Sequence, residues 1–458
     1  MKPYCYFALP RIKGIKWGTA HADYIKKYFT QRMDPYNAPI KVQLVMKKKL
    51  YYFRGGKTFP FLRMHFNSET AMRHAVNICN RDIYMNAHKF KLKPYENTIS
   101  SILKIVAMKK LQYSSWIRCV DFKEIPKGHK DRISRFDREY IVNWKSLELI
   151  PKAECINWKV YPRILSFDIE CNARNTSAMP VSYKKVDVAF QNGITILDTK
   201  TREMKTYLVN IGPCAPIEGV ILVIVKTLEE YIRAYEKIIV DEDPDVMISY
   251  NGCGFENKYL NDKIDFNGLE WGNSTRFINR QNSVQKLNWE SSAYGKNEFV
   301  IIEMDGRISL DLMVIMKRDY KLDKYTLEYV SKYYLGQGKA GLEPKDIFRY
   351  YNIATDGDIE GKAGKKEPSR IRRHFAKNLS SLAKDITTEF RLPDKVGGVD
   401  YSHLNKEIFE MASKYSKSSD EKEKYVLQEK IMKIYQDMKP ICMKAIGEYC
   451  KVDTLLPI

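Results

Sequence analysis

Arg163-Ile164-Leu165-Ser166-Phe167-Asp168-Ile169-Glu170-Cys171 reads as a β-strand: an apolar run interrupted by two carboxylates, Asp168 and Glu170. A strand sends alternate side chains to opposite faces, so both carboxylates point the same way. Two carboxylates held side by side repel each other. A divalent cation bound by oxygen ligands offsets that repulsion most simply.

Outward from this strand, runs of strand and helix character alternate. Val186 to Leu197, Glu203 to Ile211 and Asp245 to Tyr250 read as strands, and Leu228 to Val240 as a helix with apolar residues at helical spacing. This is the rhythm of an α/β domain around a central mixed sheet. The run Val220–Val225 is expected to be a buried strand, and is far too short to span a bilayer. A boundary carrying Pro151 and Pro162 precedes the domain. We therefore divide the chain at 155/156.

Residues 1–155 read as a mixed α/β domain. Val42 to Phe53 and Phe61 to Phe66 are strand-like, and a helix follows a cap at Ser68. Lysines interleave here with Tyr51, Tyr52, Phe53, Phe59 and Phe61. That mixture suits either a surface that stacks bases or strands that bury aromatics and leave lysines wet. Residues 355–440 form a basic, partly helical insertion. It includes the run Gly361 to Arg373 with Lys365-Lys366, and a helix-like Tyr425 to Ile434. A solvated surface elaboration is its expected role.

Bulk composition bounds the function. A length of 458 residues implies two or three domains, and a net charge of +21 favours a polyanionic partner. The nine cysteines are scattered with no CxxC pair. That pattern argues against a zinc site and a disulfide framework, and favours a reducing, intracellular compartment as the expected location. No secretory signal opens it.

Two further stretches carry carboxylates. In Tyr250-Asn251-Gly252-Cys253-Gly254-Phe255-Glu256, a strand ends, glycines open a loop, and Glu256 enters the first turn of a helix. By itself this is ordinary helix-dipole chemistry. In Tyr449-Cys450-Lys451-Val452-Asp453, a helix would place Tyr449 and Asp453 one turn apart on one face.

Taken in order, the three stretches resemble the three exonuclease motifs of family B DNA polymerases: Asp-Ile-Glu, Tyr-Asn-x-x-x-Phe-Asp-x-x-Tyr-Leu and Tyr-x-x-x-Asp. Gly306 to Leu312 and Arg318 to Leu327 look like the delta-type branch, and Tyr95-Glu96-Asn97-Thr98-Ile99 with Trp116 is similar to part of its N-terminal region. The resemblance implies an α/β, RNase H-like (DnaQ-type) exonuclease domain with a central mixed β-sheet over residues 156–458, preceded by a mixed α/β N-terminal domain.

The implied activity is 3′–5′ proofreading hydrolysis of single-stranded or frayed DNA ends, using two Mg²⁺ or Mn²⁺ ions roughly 4 Å apart. Asp168 would bridge both ions. Glu170 and Asp453 would hold the ion on the nucleophile side, and Glu256 would stand where the family has an aspartate. Tyr449 would orient the attacking water. Asn251 and Phe255 would contact the frayed 3′ end, and Lys321 a phosphate. The implied partner is DNA, as a single-stranded 3′ end or primer–template, together with a separate polymerase-domain chain or a processivity factor. No membrane is implied. The site of action would be the nucleus or a cytoplasmic viral replication site, since the Lys- and Tyr-rich composition suggests a large DNA virus.

Three departures from the family pattern stand out. Glu256 is one methylene longer than the family's aspartate, a difference large on the scale of catalytic geometry. Asp453 lies close to the last residue, so fraying of its helix is expected. No polymerase palm motif occurs, so polymerisation by this chain alone is not expected. The alternative readings are an inactive DNA-binding fragment, one chain of a split polymerase, or a standalone exonuclease or ribonuclease on the same fold.

Overall fold

The computed structural model describes residues 1–49, 55–173, 178–291, 295–338, 341–356, 369–377 and 381–458. Tyr51, Tyr52 and Phe53 and most of the Gly361 to Arg373 run, with Lys365-Lys366, lie outside the described residues. The chain forms two compact units. One comprises Met1–Arg132 and Arg138–Trp158, the other Ile133–Asp137 and Lys159–Ile458.

In the first unit, β1 (Tyr4–Ala8), α1 (Thr19–Thr30), β2 (Lys41–Lys48), β3 (Thr58–His65), α2 (Glu69–Cys79) and β4 (Lys93–Tyr95) follow one another. The sheet order is β2-β3-β1-β4 and every pairing is antiparallel. Ser68 caps α2 through a hydrogen bond from the Ala71 N–H, 3.1 Å. Strand alternation sends Cys5 and Phe7 of β1, with Leu62 and Met64 of β3, into a core against both helices. Tyr4, Tyr6 and Phe61 point to the other face and are buried there too. Lys47 Nζ sits 3.7 Å above the Tyr6 ring and Lys49 Nζ 4.7 Å above the Phe59 ring. Of the rings in this lysine–aromatic mixture that are described, Phe61 is buried and Phe59 half-buried against it.

The second unit is built on a six-stranded mixed sheet. Its strands are β5 (Arg163–Cys171), β6 (Ala189–Asp198), β7 (Met204–Ile211), β8 (Val220–Val225), β9 (Val246–Ser249) and β10 (Ile308–Asp311). They are ordered β8-β7-β6-β5-β9-β10. β5 pairs antiparallel with β6 and parallel with β9. One face packs on α3 (Leu228–Glu242) and α4 (Glu256–Phe266), where Leu165, Phe167 and Ile169 meet Tyr231, Ile232, Tyr259 and Leu260. A hairpin of Ser283–Ser291 and Gly295–Glu303 follows α4. The Val220–Val225 strand corrects one expectation. It is the edge of the sheet, with Ile221 and Ile224 about half exposed, because an unbroken apolar run does not say how many neighbours a strand will have.

The opposite face of the sheet is covered by α7, a 35-residue helix from Glu421 to Leu455. The separate helix expected at Tyr425 to Ile434 is part of it. The 355–440 region also departs from expectation. Its described part is not a solvated elaboration: Ile371, Phe375, Leu382, Ile386, Phe390 and Ile408 bury themselves against Ile431, Tyr435 and Met438 of α7. Charged residues on the wet faces of short helices conceal this core in the composition.

Two glycines let α7 lie close to the sheet. A Cβ on Gly193 of β6 would stand 2.8 Å from Cys450 Sγ and 3.1 Å from the Cys450 carbonyl oxygen. A Cβ on Gly447 of α7 would stand 2.5 Å from Leu208 Cδ2. The last turn is anchored as well. Thr454 Oγ1 and Thr195 Oγ1 are hydrogen-bonded at 2.8 Å, and Lys451 Nζ donates to the Glu218 carbonyl at 2.9 Å. Fraying near Asp453 is therefore not what the structure shows. Gly193→Val should lower unfolding free energy by about 1–3 kcal/mol, the usual cost of overpacking. A denaturant melt with an unchanged midpoint would show that this contact does not seat the helix.

Candidate metal centre and substrate groove

The register of β5 against β6 pairs Asp168 with Gly193, Glu170 with Gln191 and Ser166 with Thr195. Opposed residues in an antiparallel pair share a face, and here it is the face beneath α7. Where Gly193 has no side chain, the helix drops in and Cys450 meets Asp168. Ligand atoms of Asp168, Glu170 and Cys450 all lie within 4.8 Å of one another. The Cys450 Sγ–H donates to the Asp168 carbonyl oxygen at 3.6 Å. Burial raises the Cys450 thiol well above its usual range, and the charges of Glu170, Asp168 and Asp453 push it further. Cys450 is thus a neutral thiol among three carboxylates. Asp453, one turn on from Tyr449, is buried.

A second arm comes from the β9–α4 connection. Asn251 takes a left-handed backbone, φ 70°, which asparagine tolerates better than most residues. Gly252 is obligatory, since a Cβ there would stand 2.0 Å from Ser249 Oγ. Asp311 at the end of β10 ties the loop down. Its carboxylate accepts from the backbone N–H groups of Asn251 and Cys253, both at 3.0 Å. It also caps α5 (Leu312–Asp319). The fixed loop delivers Glu256 at the first position of α4, buried and against Asp168.

Glu256 explains how the longer side chain is accommodated: its carboxylate reaches Asp168 from a helix start set by this loop. Burial raises its pKa well above the ordinary glutamate range, and the neighbouring Asp168 charge raises it further. Its Oε2 is buried and accepts no hydrogen bond. A buried acceptor of this kind, beside a second carboxylate, fits a hard divalent cation coordinated by oxygen.

Asp168, Glu256, Asn251 and Tyr250 line an open groove of 770 Å³, whose lining also includes Lys317, Asp323, Lys324, Tyr325 and Glu328. The candidate residues divide accordingly. Asp168 and Glu170 form the cluster with Cys450, Glu256 lies buried against Asp168, Asp453 is buried three residues on from Cys450, and Asn251 lines the groove. Tyr449 is half-buried and packs on the helical core of α7. Phe255 packs on Tyr259, ring centroids 5.7 Å apart, and joins the core behind the sheet. Lys321 is exposed, and the lysines on the groove are Lys317 and Lys324. Cys450, Asp311, Lys317 and Lys324 were missed as site residues. The strand-to-helix junction at Ser309-Leu310-Asp311-Leu312 was a usable signal for Asp311, since aspartate there is a natural cap. Nothing local marks Cys450.

Residues 92–330 of the 458 match the family described as DNA polymerase family B, exonuclease domain. The chain belongs to this family. It is similar to DNA polymerase 120R of Invertebrate iridescent virus 3, with 28% identity over 377 residues, 75% of this chain and 32% of that protein. It is similar to the DNA polymerase delta catalytic subunit of Schizosaccharomyces pombe, with 28% identity over 322 residues, 68% of this chain and 28% of that protein. The chain thus spans about a third of the length of such relatives. Its fold is similar to that of the family B DNA polymerase from the hyperthermophilic archaeon Pyrobaculum calidifontis, with a TM-score of 0.51 and 16% identity over 77% of this chain and 37% of that one.

The Glu256 environment predicts a pH signature. A carboxyl group with a raised native pKa binds its proton more tightly folded than unfolded. Its contribution to stability is therefore present at acid pH and lost as pH rises through the raised value. In chelator, the wild-type melting temperature should fall more steeply between pH 5 and pH 8 than that of Glu256→Gln. Added Mg²⁺ or Mn²⁺ should raise the wild-type value at pH 8 and raise the variant's less. Identical pH profiles would remove Glu256 from the cluster's electrostatics.

Proposed function

We propose that this chain carries the 3′–5′ proofreading exonuclease of a family B DNA polymerase and hydrolyses the terminal phosphodiester of a single-stranded or frayed DNA end. The observation that carries the reading is the cluster of half-buried Asp168 with buried Glu170 and Cys450, together with Glu256, whose buried Oε2 accepts no hydrogen bond, against Asp168.

Asp168, Glu170, Glu256 and Asp453 would hold two Mg²⁺ or Mn²⁺ ions. When bound, these would supply a nucleophilic hydroxide at neutral pH and stabilise charge on the leaving oxygen. The remaining work falls to the chain itself. Asp168, common to both arms of the site, aligns the β5 carboxylates with the Glu256 arm. Tyr449, one turn before Asp453, would orient the attacking water through its hydroxyl. Lys317 and Lys324 line the same groove and would neutralise backbone phosphates. The net charge of +21 favours DNA approach over the whole chain.

The test is removal of nucleotides from the 3′ end of a labelled single-stranded oligodeoxynucleotide. Cleavage is expected with Mg²⁺ or Mn²⁺, none with chelator, and a loss of at least about a hundredfold in Asp168→Asn. An RNA strand of the same sequence should be cut more slowly. Salt-sensitive binding without cleavage under any of these conditions would leave a binding module and reject the nuclease.

A further inference from the structure

Lys57-Thr58-Phe59-Pro60-Phe61-Leu62-Arg63-Met64, in the first compact unit, is a stretch that the exonuclease reading leaves unused. It opens on a basic residue, sets aromatics at its third and fifth positions and an aliphatic at its sixth. That order resembles the octamer that marks RNA-recognition domains, with Thr58 and Pro60 where glycine or alanine is usual and Met64 for the last aromatic. The fold agrees. Apart from a short hairpin of Ile83–Met85 with His88–Phe90, the unit runs β1-α1-β2-β3-α2-β4 in the sheet order β2-β3-β1-β4. This is the split βαβ arrangement, whose open sheet face stacks bases in those domains. The exonuclease groove, out to Leu327 and Glu328 at the start of α6 (Leu327–Leu335), is built in the second unit.

Register gathers the rings on the side of the sheet away from α1 and α2. Gln43, Arg63, Tyr6 and Tyr95 form one row across the four strands, and Val45, Phe61, Ala8 and Lys93 the next. Phe59 follows on β3, opposite Lys47. Phe61 meets Tyr6 and Tyr95 edge to face, with centroids 6.4 and 5.3 Å apart. Phe59 and Tyr95 are half-buried, whereas Tyr6 and Phe61 are buried. Two ammonium groups lie over this set. Lys47 Nζ is 3.7 Å from the Tyr6 centroid, and Lys49 Nζ is 4.7, 5.7 and 5.9 Å from those of Phe59, Phe61 and Tyr95. Tyr4, at the end of the sheet, is engaged differently. Lys104 of the helix Ser101–Met108 covers its ring at 4.5 Å, and its hydroxyl donates to Met108 Sδ at 3.6 Å.

We propose that this sheet face binds a short segment of single-stranded RNA, with bases stacked on Tyr6, Phe59 and Tyr95 and phosphates on Lys47, Lys49 and Lys93. In the unliganded protein the ammonium groups of Lys47 and Lys49 occupy the π-faces. A base takes their place, and each lysine, on its flexible four-carbon stem, turns to a phosphate. Little opposes that movement in Lys47. Its ion pair with Glu96, at 3.1 Å, has both side chains about a third exposed, and such pairs hold weakly. Arg63 donates to Gln43 Oε1 at 2.8 Å in the same row as Tyr6 and Tyr95. These polar groups stand beside the rings, within the row that would meet the ribose 2′-hydroxyl, a donor and acceptor that DNA lacks. The proposal stands apart from the exonuclease reading and does not depend on it.

The experiment titrates the full chain, in chelator, into a labelled oligouridylate and into the oligodeoxyuridylate of the same length, with binding read by anisotropy. The ribose strand should bind more tightly. Phe59→Leu, which keeps an apolar side chain but no π-face, should weaken RNA binding about tenfold, and Phe59→Tyr should restore it. Tyr95→Leu and Tyr95→Phe repeat the comparison on a second ring, should Phe59→Leu melt below the wild type. Removal of nucleotides from a DNA 3′ end should be unchanged in Phe59→Leu. Photocrosslinking of an oligouridylate carrying 5-iodouridine should mark peptides from β1, β3 or β4. Absence of RNA binding, binding that both leucine variants leave unchanged, or crosslinks confined to the second unit would overturn the proposal. Equal affinity for the deoxyribose strand, with the same loss in Phe59→Leu, would overturn its assignment to RNA.

Discussion

The site depends on how closely one helix can lie on one strand. Asp168 and Glu170 stand on β5, but Asp453 arrives on α7, 283 positions later than Glu170 in the chain. The helix reaches the strand, and Cys450 the carboxylates, because Gly193, paired with Asp168 in the sheet, has no side chain to hold α7 away. Gly447 provides the same clearance against Leu208, three residues before Cys450 on the helix. Packing at that distance leaves no room for adjustment, so the carboxylate cluster inherits the rigidity of a close-packed interior. Thr195 and Thr454 lock the helix rotation that keeps Asp453 facing inward.

The Glu256 arm is held by a different device, made of polar contacts. Asp311 gathers the backbone amides of the β9–α4 loop, and glycine and left-handed asparagine allow the chain to turn sharply within it. The result is a buried glutamate beside a half-buried aspartate, unfavourable in isolation and stable only in combination with protons or cations. The helical region before α7 has a supporting role. Its apolar core braces the outer side of α7, so a segment that is strongly charged overall contributes packing to the helix that completes the site.

Legibility followed the range of the interactions involved. The β5 strand, the shared face of Asp168 and Glu170, the entry of Glu256 at a helix start and the Ser68 cap are consequences of neighbours within a few residues. They could be read from alternation and capping rules. The edge position of Val220–Val225 could not, because apolar content reports a strand's preference for burial and not its place in the sheet. The same holds for Phe255. Its ring sits next to Glu256 in sequence, yet packs on Tyr259 behind the sheet, since the loop backbone sets its direction. The lysines facing the groove are Lys317 and Lys324 rather than Lys321 for a similar reason: an exposed loop gives no periodicity from which to choose among them.

By itself the sequence determined the mixed α/β class, the three carboxylate stretches in their order, and the family to which the chain belongs, because each is written in local pattern. Only the tertiary structure decided that Cys450 stands among the carboxylates and that the longer Glu256 still reaches Asp168. These outcomes turn on the separation between a strand and a helix and on the path of one loop. Both are set by contacts between residues far apart in the chain, which no local pattern records.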